Sequence, residues 1–100
     1  MGVERVRHNL KIERKWLHAV ASGHKKAEIR RADRPFGEGD ELLLYTQDQE
    51  EAELVRVTHV LRLSDVPGYS GEDFVSLSIQ PLRHFEGEAV KAELGEGSYG

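Results

Sequence analysis

The chain has 100 residues, of which 38% are hydrophobic and 32% are charged, and this composition suits one small globular domain. It has no cysteine, which excludes disulfide bonds and thiolate metal ligands. The formal net charge is -4, yet residues 1–34 alone carry a net charge of +6. Because salt screens exposed charges beyond about 8 Å, this basic first third can attract phosphate although the whole chain is acidic.

The hydrophobic pattern does not suggest a membrane protein. No apolar run approaches the roughly 18 residues that a membrane-spanning helix needs. The N-terminal segment also lacks the apolar core of a signal peptide. We therefore expect a soluble cytoplasmic domain without a membrane partner.

The first predicted elements are a strand and a helix. His8 to Ile12 is predicted as a short strand, since Leu10 and Ile12 recur at period two. In residues 13–22 the apolar positions change to a helical stripe formed by Trp16, Leu17, Val20 and Ala21. Gly23 suits the left-handed position that ends helices. We expect Trp16 to pack between helix and barrel, with a base-stacking platform as the alternative.

The next predicted strand, Lys26 to Arg31, separates its charged side chains from its apolar ones. Alternation places Lys26, Glu28 and Arg30 on one face, and Ala27 and Ile29 on the other. Along a strand, Glu28 and Arg30 should lie about 7 Å apart. Ala32 to Asp40 follows as a turn region.

Three further strands are predicted in the remaining sequence. Leu42 to Tyr45 is an unbroken apolar run, as expected of a strand covered on both faces, and Thr46 to Glu53 is a polar hairpin connection. The long strand that follows has one face formed by Val55, Val57, His59, Leu61 and Leu63. Phe74 to Gln80 alternates, with Val75, Leu77 and Ile79 directed inward. Pro81 is expected to end it.

The element order is β-α-β-β-β-β, which predicts an α+β, mainly β fold. Five short strands with one helix are most economically closed as a small barrel, with the helix over one opening. We expect an N-terminal extension at residues 1–7, the domain at residues 8–82, and an acidic, glycine-rich tail at residues 83–100. Within that tail, Glu88 to Leu94 is a candidate helical turn.

A motif follows the first helix, of the form Gly-x-Lys-x-x-Glu-x-Arg, and Gly23, Lys25, Glu28 and Arg30 fill all its fixed positions. This motif resembles that of ASCH domains, which belong to the PUA-like superfamily of small pseudo-barrels. Further matching positions are His8, Leu10, Lys11, Asp33, Arg34, Phe36, Gly39, Asp40, Arg56 and Thr58. The resemblance covers roughly residues 8–82 and is to a bacterial and phage branch without an assigned activity. It implies a five-stranded mixed pseudo-barrel and a ligand-binding cleft between helix and barrel, with RNA or a modified nucleoside as the ligand.

The preferred hypothesis is a module that binds RNA or a nucleotide. An ammonium with three donors suits Lys25 for phosphate or base contacts, and a planar fork suits Arg30 for phosphate. Glu28 either accepts hydrogen bonds from a base edge or forms a structural ion pair with Arg30. The complete set of candidate binding residues is His8, Lys11, Trp16, Lys25, Glu28, Arg30 and Arg34.

Two other classes of function remain open. One is a small hydrolase, of ribonuclease or amidohydrolase type, with Lys25 and Glu28 as catalytic groups. The ASCH amidohydrolases that deacetylate N4-acetylcytidine have a threonine where this chain has Glu28, so the resemblance does not carry their nucleophile over. The other is a protein-interaction domain that uses the acidic face. The five histidines lack carboxylates at ligand spacing, so we expect neither a metal nor a cofactor.

Overall fold

A computed structural model describes residues 5–68 and 73–95 of the chain, and these form five strands, two α-helices and a short 3-10 helix at Leu63–Asp65. In chain order the elements are β1 (Arg7–Lys11), α1 (Arg14–Ala21), β2 (Ala27–Arg31), β3 (Glu41–Tyr45), β4 (Glu51–Arg62), β5 (Phe74–Glu86) and α2 (Glu88–Leu94). The bounds from β1 to β3 lie within one residue of those predicted. No helix among the described residues has the length and apolar character needed to cross a membrane.

The strands form one mixed sheet in the order β1-β3-β4-β5-β2. β1 runs parallel to β3, and every other neighbouring pair is antiparallel. The sheet curls into a half-barrel. A hydrogen bond links its two edge strands, since the guanidinium of Arg30 in β2 donates to the carbonyl oxygen of Lys11 in β1 at 2.7 Å. This architecture confirms the predicted mainly β pseudo-barrel.

Apolar side chains pack on both faces of this sheet. The larger cluster includes Leu17 and Val20 of α1, together with Leu10, Ile12, Leu42, Leu44, Val55, Val57, Val75, Leu77 and Ile79. The smaller cluster holds Leu43, Ala52, Leu54, Phe85 and Val90, the last from α2. Since β3 contributes fully buried leucines to both clusters, the prediction of a strand covered on both faces is confirmed.

The alternation predicted for β4 is wrong beyond Val57. Val57 pairs with Ile79 and His59 with Ser78, so Thr58 is an extra residue that forms a β-bulge. The bulge shifts the alternation by one position. Val60 therefore packs against the larger cluster, whereas Leu61, predicted to face inward, is 40% exposed.

Pro81 does not end β5, which continues to Glu86. Val55 pairs with Pro81 and Leu54 pairs with Arg83, so Leu82 is an extra residue beside the proline. Such irregularities are where a sheet tolerates proline, which cannot donate a ladder hydrogen bond. The sequence predicts a loose tail from residue 83. The structure instead has the end of β5 and then α2, as far as Leu94. Residues 96–100 of that tail and the first four residues of the chain lie outside the described residues.

Candidate functional site

The segment between α1 and β2 reverses the chain within a few residues. Gly23 has a φ of 85°, and its N–H donates to the carbonyl oxygen of Val20 at 3.0 Å, which ends α1 as predicted. The N–H of Lys25 then donates to the carbonyl oxygen of Ala19 at 2.9 Å. These bonds hold Lys25 against the end of the helix, directly before β2.

Lys25 and Arg30 both contact the carboxylate of Glu28, and we call these three residues the Glu28 ion cluster. Glu28 is 6% exposed. Its Oε1 lies 2.9 Å from Nζ of Lys25, and its Oε2 accepts a hydrogen bond from Nε of Arg30 at 2.8 Å. Lys25 also donates to the carbonyl oxygen of Ala27. A buried carboxylate needs such partners, because an isolated charge is expensive to remove from water.

This pairing explains which face of β2 is buried. The strand turns its charged face inward at Glu28, while Ile29 on the opposite face is 59% exposed. Hydrophobicity alone would favour the reverse arrangement. The contacts of Glu28 with Lys25 and Arg30 outweigh that preference. Arg30 also joins the two edge strands of the sheet.

A pocket of about 540 Å³ lies between α1 and β2, and we call it the Trp16 pocket. It is lined by Trp16, Lys25, Ala27, Glu28, Ile29 and Ser76. The prediction that Trp16 belongs to the core is wrong, since its side chain is 47% exposed and the ammonium of Lys15 lies 5.0 Å from its ring centroid. The helix buries Leu17 and Val20 instead.

A second, smaller cleft of about 150 Å³ contains Arg30 of the Glu28 ion cluster in its lining, and we call it the arginine cleft. It is lined by Leu10, Arg30, Arg31, Asp33, Arg34 and Phe36. Arg30 belongs to both the ion cluster and this cleft, so the two sites share a side chain. The structure therefore places Arg34 with Arg30, and adds Arg31, which the motif did not single out.

The side chain of Lys11 lies apart from these residues, although its carbonyl oxygen accepts a hydrogen bond from Arg30. Its side chain lines a cleft of about 560 Å³ with Arg14 and Asp48. There Arg14 donates to Asp48 at 2.8 Å, and hydrogen bonds from Arg14 and Thr46 lower the pKa of Asp48 to about 2. The charge of Arg14 is already paired with Asp48. We therefore expect an anion to bind more weakly in this cleft than in the arginine cleft.

His8, another candidate binding residue, lies inside the protein. It is 6% exposed, its Nε2 lies 2.9 Å from Oδ2 of Asp40, and its ring packs against Phe36 at a centroid distance of 4.8 Å. Burial on its own raises the pKa of Asp40. Hydrogen bonds from His8 and from the backbone N–H groups of Gly37 and Val6 outweigh burial, so the pKa is lowered below its usual 3.8.

Replacing Asp40 with asparagine should lower the free energy of unfolding by about 1–3 kcal/mol at neutral pH, because a buried charge-assisted hydrogen bond is lost. A folded-state pKa below the unfolded value means that the carboxylate stabilises the fold above pH 3.8 and loses this contribution as the pH falls. Urea unfolding of wild type and Asp40→Asn at pH 7 and pH 3 measures both effects.

The difference between the two proteins should shrink at the lower pH. Asp33→Asn is the matched control, since Asp33 is exposed, and we expect a change within about 0.5 kcal/mol. Equal stability of wild type and Asp40→Asn at pH 7 would contradict the proposed role of the pair.

Residues 7–93 match the family described as "Domain of unknown function (DUF3850)". A search of curated proteins gives no match. Among solved structures, a mutant of ZmASCH from Zymomonas mobilis aligns with a TM-score of 0.59 and 12% identity, covering 89% of this chain and 81% of that one.

A second solved structure, that of the hypothetical protein PH0355, aligns with a TM-score of 0.55 and 14% identity. The alignment covers 76% of this chain and 99% of that one. At these identities the likeness concerns the fold, and it confirms the expected ASCH-type, PUA-like architecture. The chain belongs to the DUF3850 family, and its fold is that of an ASCH domain.

Proposed function

We propose that the chain binds single-stranded RNA, or a nucleotide-sized part of it, across the Trp16 pocket and the arginine cleft. The observation that carries this proposal is that the exposed side chains of Trp16 and Ile29 line one pocket together with the charged residues Lys25 and Glu28. An apolar surface next to a few fixed polar groups is the usual composition of a small-ligand site.

The base is expected to stack on Trp16. Aromatic side chains hold unpaired bases in this way, and each stacked base contributes about 1–3 kcal/mol. Ile29 supplies a second apolar surface in the same pocket. Because every base has a flat π-face, this contact favours single-stranded over paired nucleic acid without selecting a particular base.

The phosphates are expected to lie toward the arginine cleft. Arg31 and Arg34 are exposed there, and Arg30 remains partly exposed although it contacts Glu28. Guanidinium groups bind phosphate oxygens with two parallel hydrogen bonds. Asp33 lines the same cleft and offsets one positive charge, so we expect two to three phosphate contacts rather than a long electrostatic track.

The arrangement of Glu28 supports binding over hydrolysis. Both of its oxygens already contact cations, Lys25 on one side and Arg30 on the other. A general base must instead reach a substrate proton with a free oxygen. Lys25 in turn donates to Glu28 and to the backbone, which suits a positioned cation that adds one contact to a ligand.

Binding can be followed through the chain's own fluorescence, because Trp16 is its single tryptophan. Titration with single-stranded RNA should change the emission, and affinity should fall about tenfold between 50 and 200 mM salt, as expected for two to three neutralised phosphates. Gel analysis of the same RNA after incubation tests for cleavage. Absence of binding at micromolar protein in low salt would refute the proposal, and RNA cleavage that Lys25→Ala abolishes would favour the hydrolase alternative.

Replacing Trp16 with alanine should weaken RNA binding by about 5- to 150-fold, the equivalent of one stacked base. Because this variant loses the fluorophore, anisotropy of labelled RNA is the measurement. The matched control is Leu82→Ala, which removes an equally accessible apolar side chain on β5, and we expect its affinity to remain within about twofold of wild type. Similar losses in both variants would contradict a specific stacking role.

A further inference from the structure

We propose that the chain also binds a divalent transition-metal ion such as Zn²⁺, through Glu51, His84 and Glu86. One ligand atom from each of these residues lies within 4.8 Å of those of the other two. We call this group the His84 cluster. It shares no residue with the Trp16 pocket or the arginine cleft, so the inference is independent of RNA binding.

Strand pairing creates the cluster. In the antiparallel ladder of β4 and β5, Glu51 lies opposite Glu86, and Glu53 lies opposite His84. All four side chains share one face of the sheet by alternation. Like charges placed directly opposite each other destabilise a sheet, so the Glu51 and Glu86 pair gains from a cation held between its carboxylates.

Glu53 fixes the histidine for such a role. It is 4% exposed, and its Oε1 lies 2.9 Å from Nδ1 of His84. With Nδ1–H donated to this carboxylate, Nε2 carries the lone pair that a metal needs, and it points toward Oε2 of Glu86 at 3.0 Å. Two acceptors approach this closely only with a proton or a cation between them. A buried carboxylate behind a histidine is the usual second layer of a protein metal site.

The dimensions fit a tetrahedral ion after small side-chain rotations. Ligand atoms about 2.1 Å from such an ion lie about 3.4 Å apart, and the cluster atoms are spread over at most 4.8 Å. Imidazole with carboxylates suits Zn²⁺, whereas Mg²⁺ and Ca²⁺ prefer ligand sets made of oxygen alone.

The surroundings give an ion access to the cluster and orient one of its ligands. A cleft of about 670 Å³ is lined by His18, Glu50, Glu51, Glu86 and Gly87, so an ion can reach the cluster from solvent. Nε2 of His18 lies 2.7 Å from Oε1 of Glu51 and so contacts one oxygen of that carboxylate. The other oxygen of Glu51 accepts from Nε of Arg14 at 2.7 Å, which orients the carboxylate.

The test titrates the full, chelator-treated chain with ZnCl₂ by calorimetry, and with Co²⁺ by visible absorption as a report of ligand geometry. We expect one Zn²⁺ per chain and a weakening of at least about tenfold in both His84→Gln and Glu86→Gln. The control is His59→Gln, an exposed histidine paired with Glu38, which should bind like wild type. Circular dichroism checks the fold, and Glu86→Gln, at a residue 72% exposed, carries the test if His84→Gln unfolds.

A fourth variant tests whether Zn²⁺ binding depends on an organised site or only on an acidic surface. Glu53→Gln keeps an acceptor for Nδ1–H but removes the charge behind the ring, and it should weaken Zn²⁺ binding about 10- to 100-fold. Three outcomes would overturn the proposal: no Zn²⁺ binding by wild type up to about 100 μM, equal affinity in wild type and the His84 and Glu86 variants, or Mg²⁺ binding as tight as Zn²⁺ binding.

Discussion

Replacing Glu28 with alanine should lower the free energy of unfolding by about 2–4 kcal/mol. Removing one partner of a buried ion pair commonly costs about 3–5 kcal/mol, because the remaining charge stays buried without compensation. We expect a smaller loss here, since Lys25 and Arg30 each keep about a quarter of their side-chain surface exposed to water. Urea unfolding at pH 7, followed by circular dichroism, measures the effect.

The size of this loss also depends on the edge contact made by Arg30. The guanidinium that binds Glu28 also donates to the carbonyl oxygen of Lys11, so the carboxylate orients the side chain that joins the two edges of the sheet. A double-mutant cycle with Glu28→Ala and Arg30→Ala should therefore give a coupling energy of about 1–3 kcal/mol.

The control is Glu38→Ala, which removes an exposed glutamate with a histidine partner 3.4 Å away, and it should change stability by less than about 0.5 kcal/mol. If Glu28→Ala were as stable as Glu38→Ala, the ion cluster would not stabilise the fold. RNA binding by the folded fraction of Glu28→Ala should also weaken, because Lys25 and Arg30 lose the carboxylate that positions them.

The convergence of the motif residues was predictable because it is local. Lys25, Glu28 and Arg30 lie within six residues, on a short strand that begins directly after a glycine-terminated helix. This spacing places Glu28 and Arg30 on one face of the strand, but it does not fix the direction of Lys25, which lies before the strand. The face that this strand buries was harder to predict, since burial of Glu28 rather than Ile29 depends on partners that include the main chain of β1.

The wrong predictions concern features that depend on pairing between strands distant in the sequence. Thr58 and Leu82 are extra residues only relative to the strands opposite them, so alternation along one strand cannot identify either. Trp16 was predicted to lie in the core because it belongs to the apolar helical stripe with Leu17 and Val20. Its position on the helix, one residue before Leu17, instead directs it to the edge where β2 leaves a pocket.

The candidate ligands of the His84 cluster illustrate the same limit. No metal was predicted from the sequence, although Glu86 follows His84 at the i+2 spacing that places both side chains on one face of a strand. The pairing register of β4 with β5 places Glu51 beside His84 and Glu86. The pattern along a single strand does not show this arrangement. Residues 51–53 were moreover predicted to lie in a hairpin connection, whereas β4 already begins at Glu51.

Replacing Phe85 with alanine should lower the free energy of unfolding by about 3–5 kcal/mol, the usual cost of emptying an aromatic core position. Phe85 is 7% exposed and packs in the smaller cluster with Leu43 and Val90. Small domains have only about 5–15 kcal/mol of total stability, so a loss of this size should leave the variant close to unfolding at 37 °C. Thermal and urea unfolding measure it directly.

The outcome decides whether residues 83–94 belong to the cooperative fold, which the sequence pattern alone did not indicate. Leu82→Ala is the matched control three residues earlier on β5. Because Leu82 is 40% exposed and is the extra residue at the register shift, its loss should cost less than about 1 kcal/mol. If the two variants were equally stable, the smaller cluster would not be needed for folding, and α2 would be an appendage of a half-barrel that β3 and the larger cluster already stabilise.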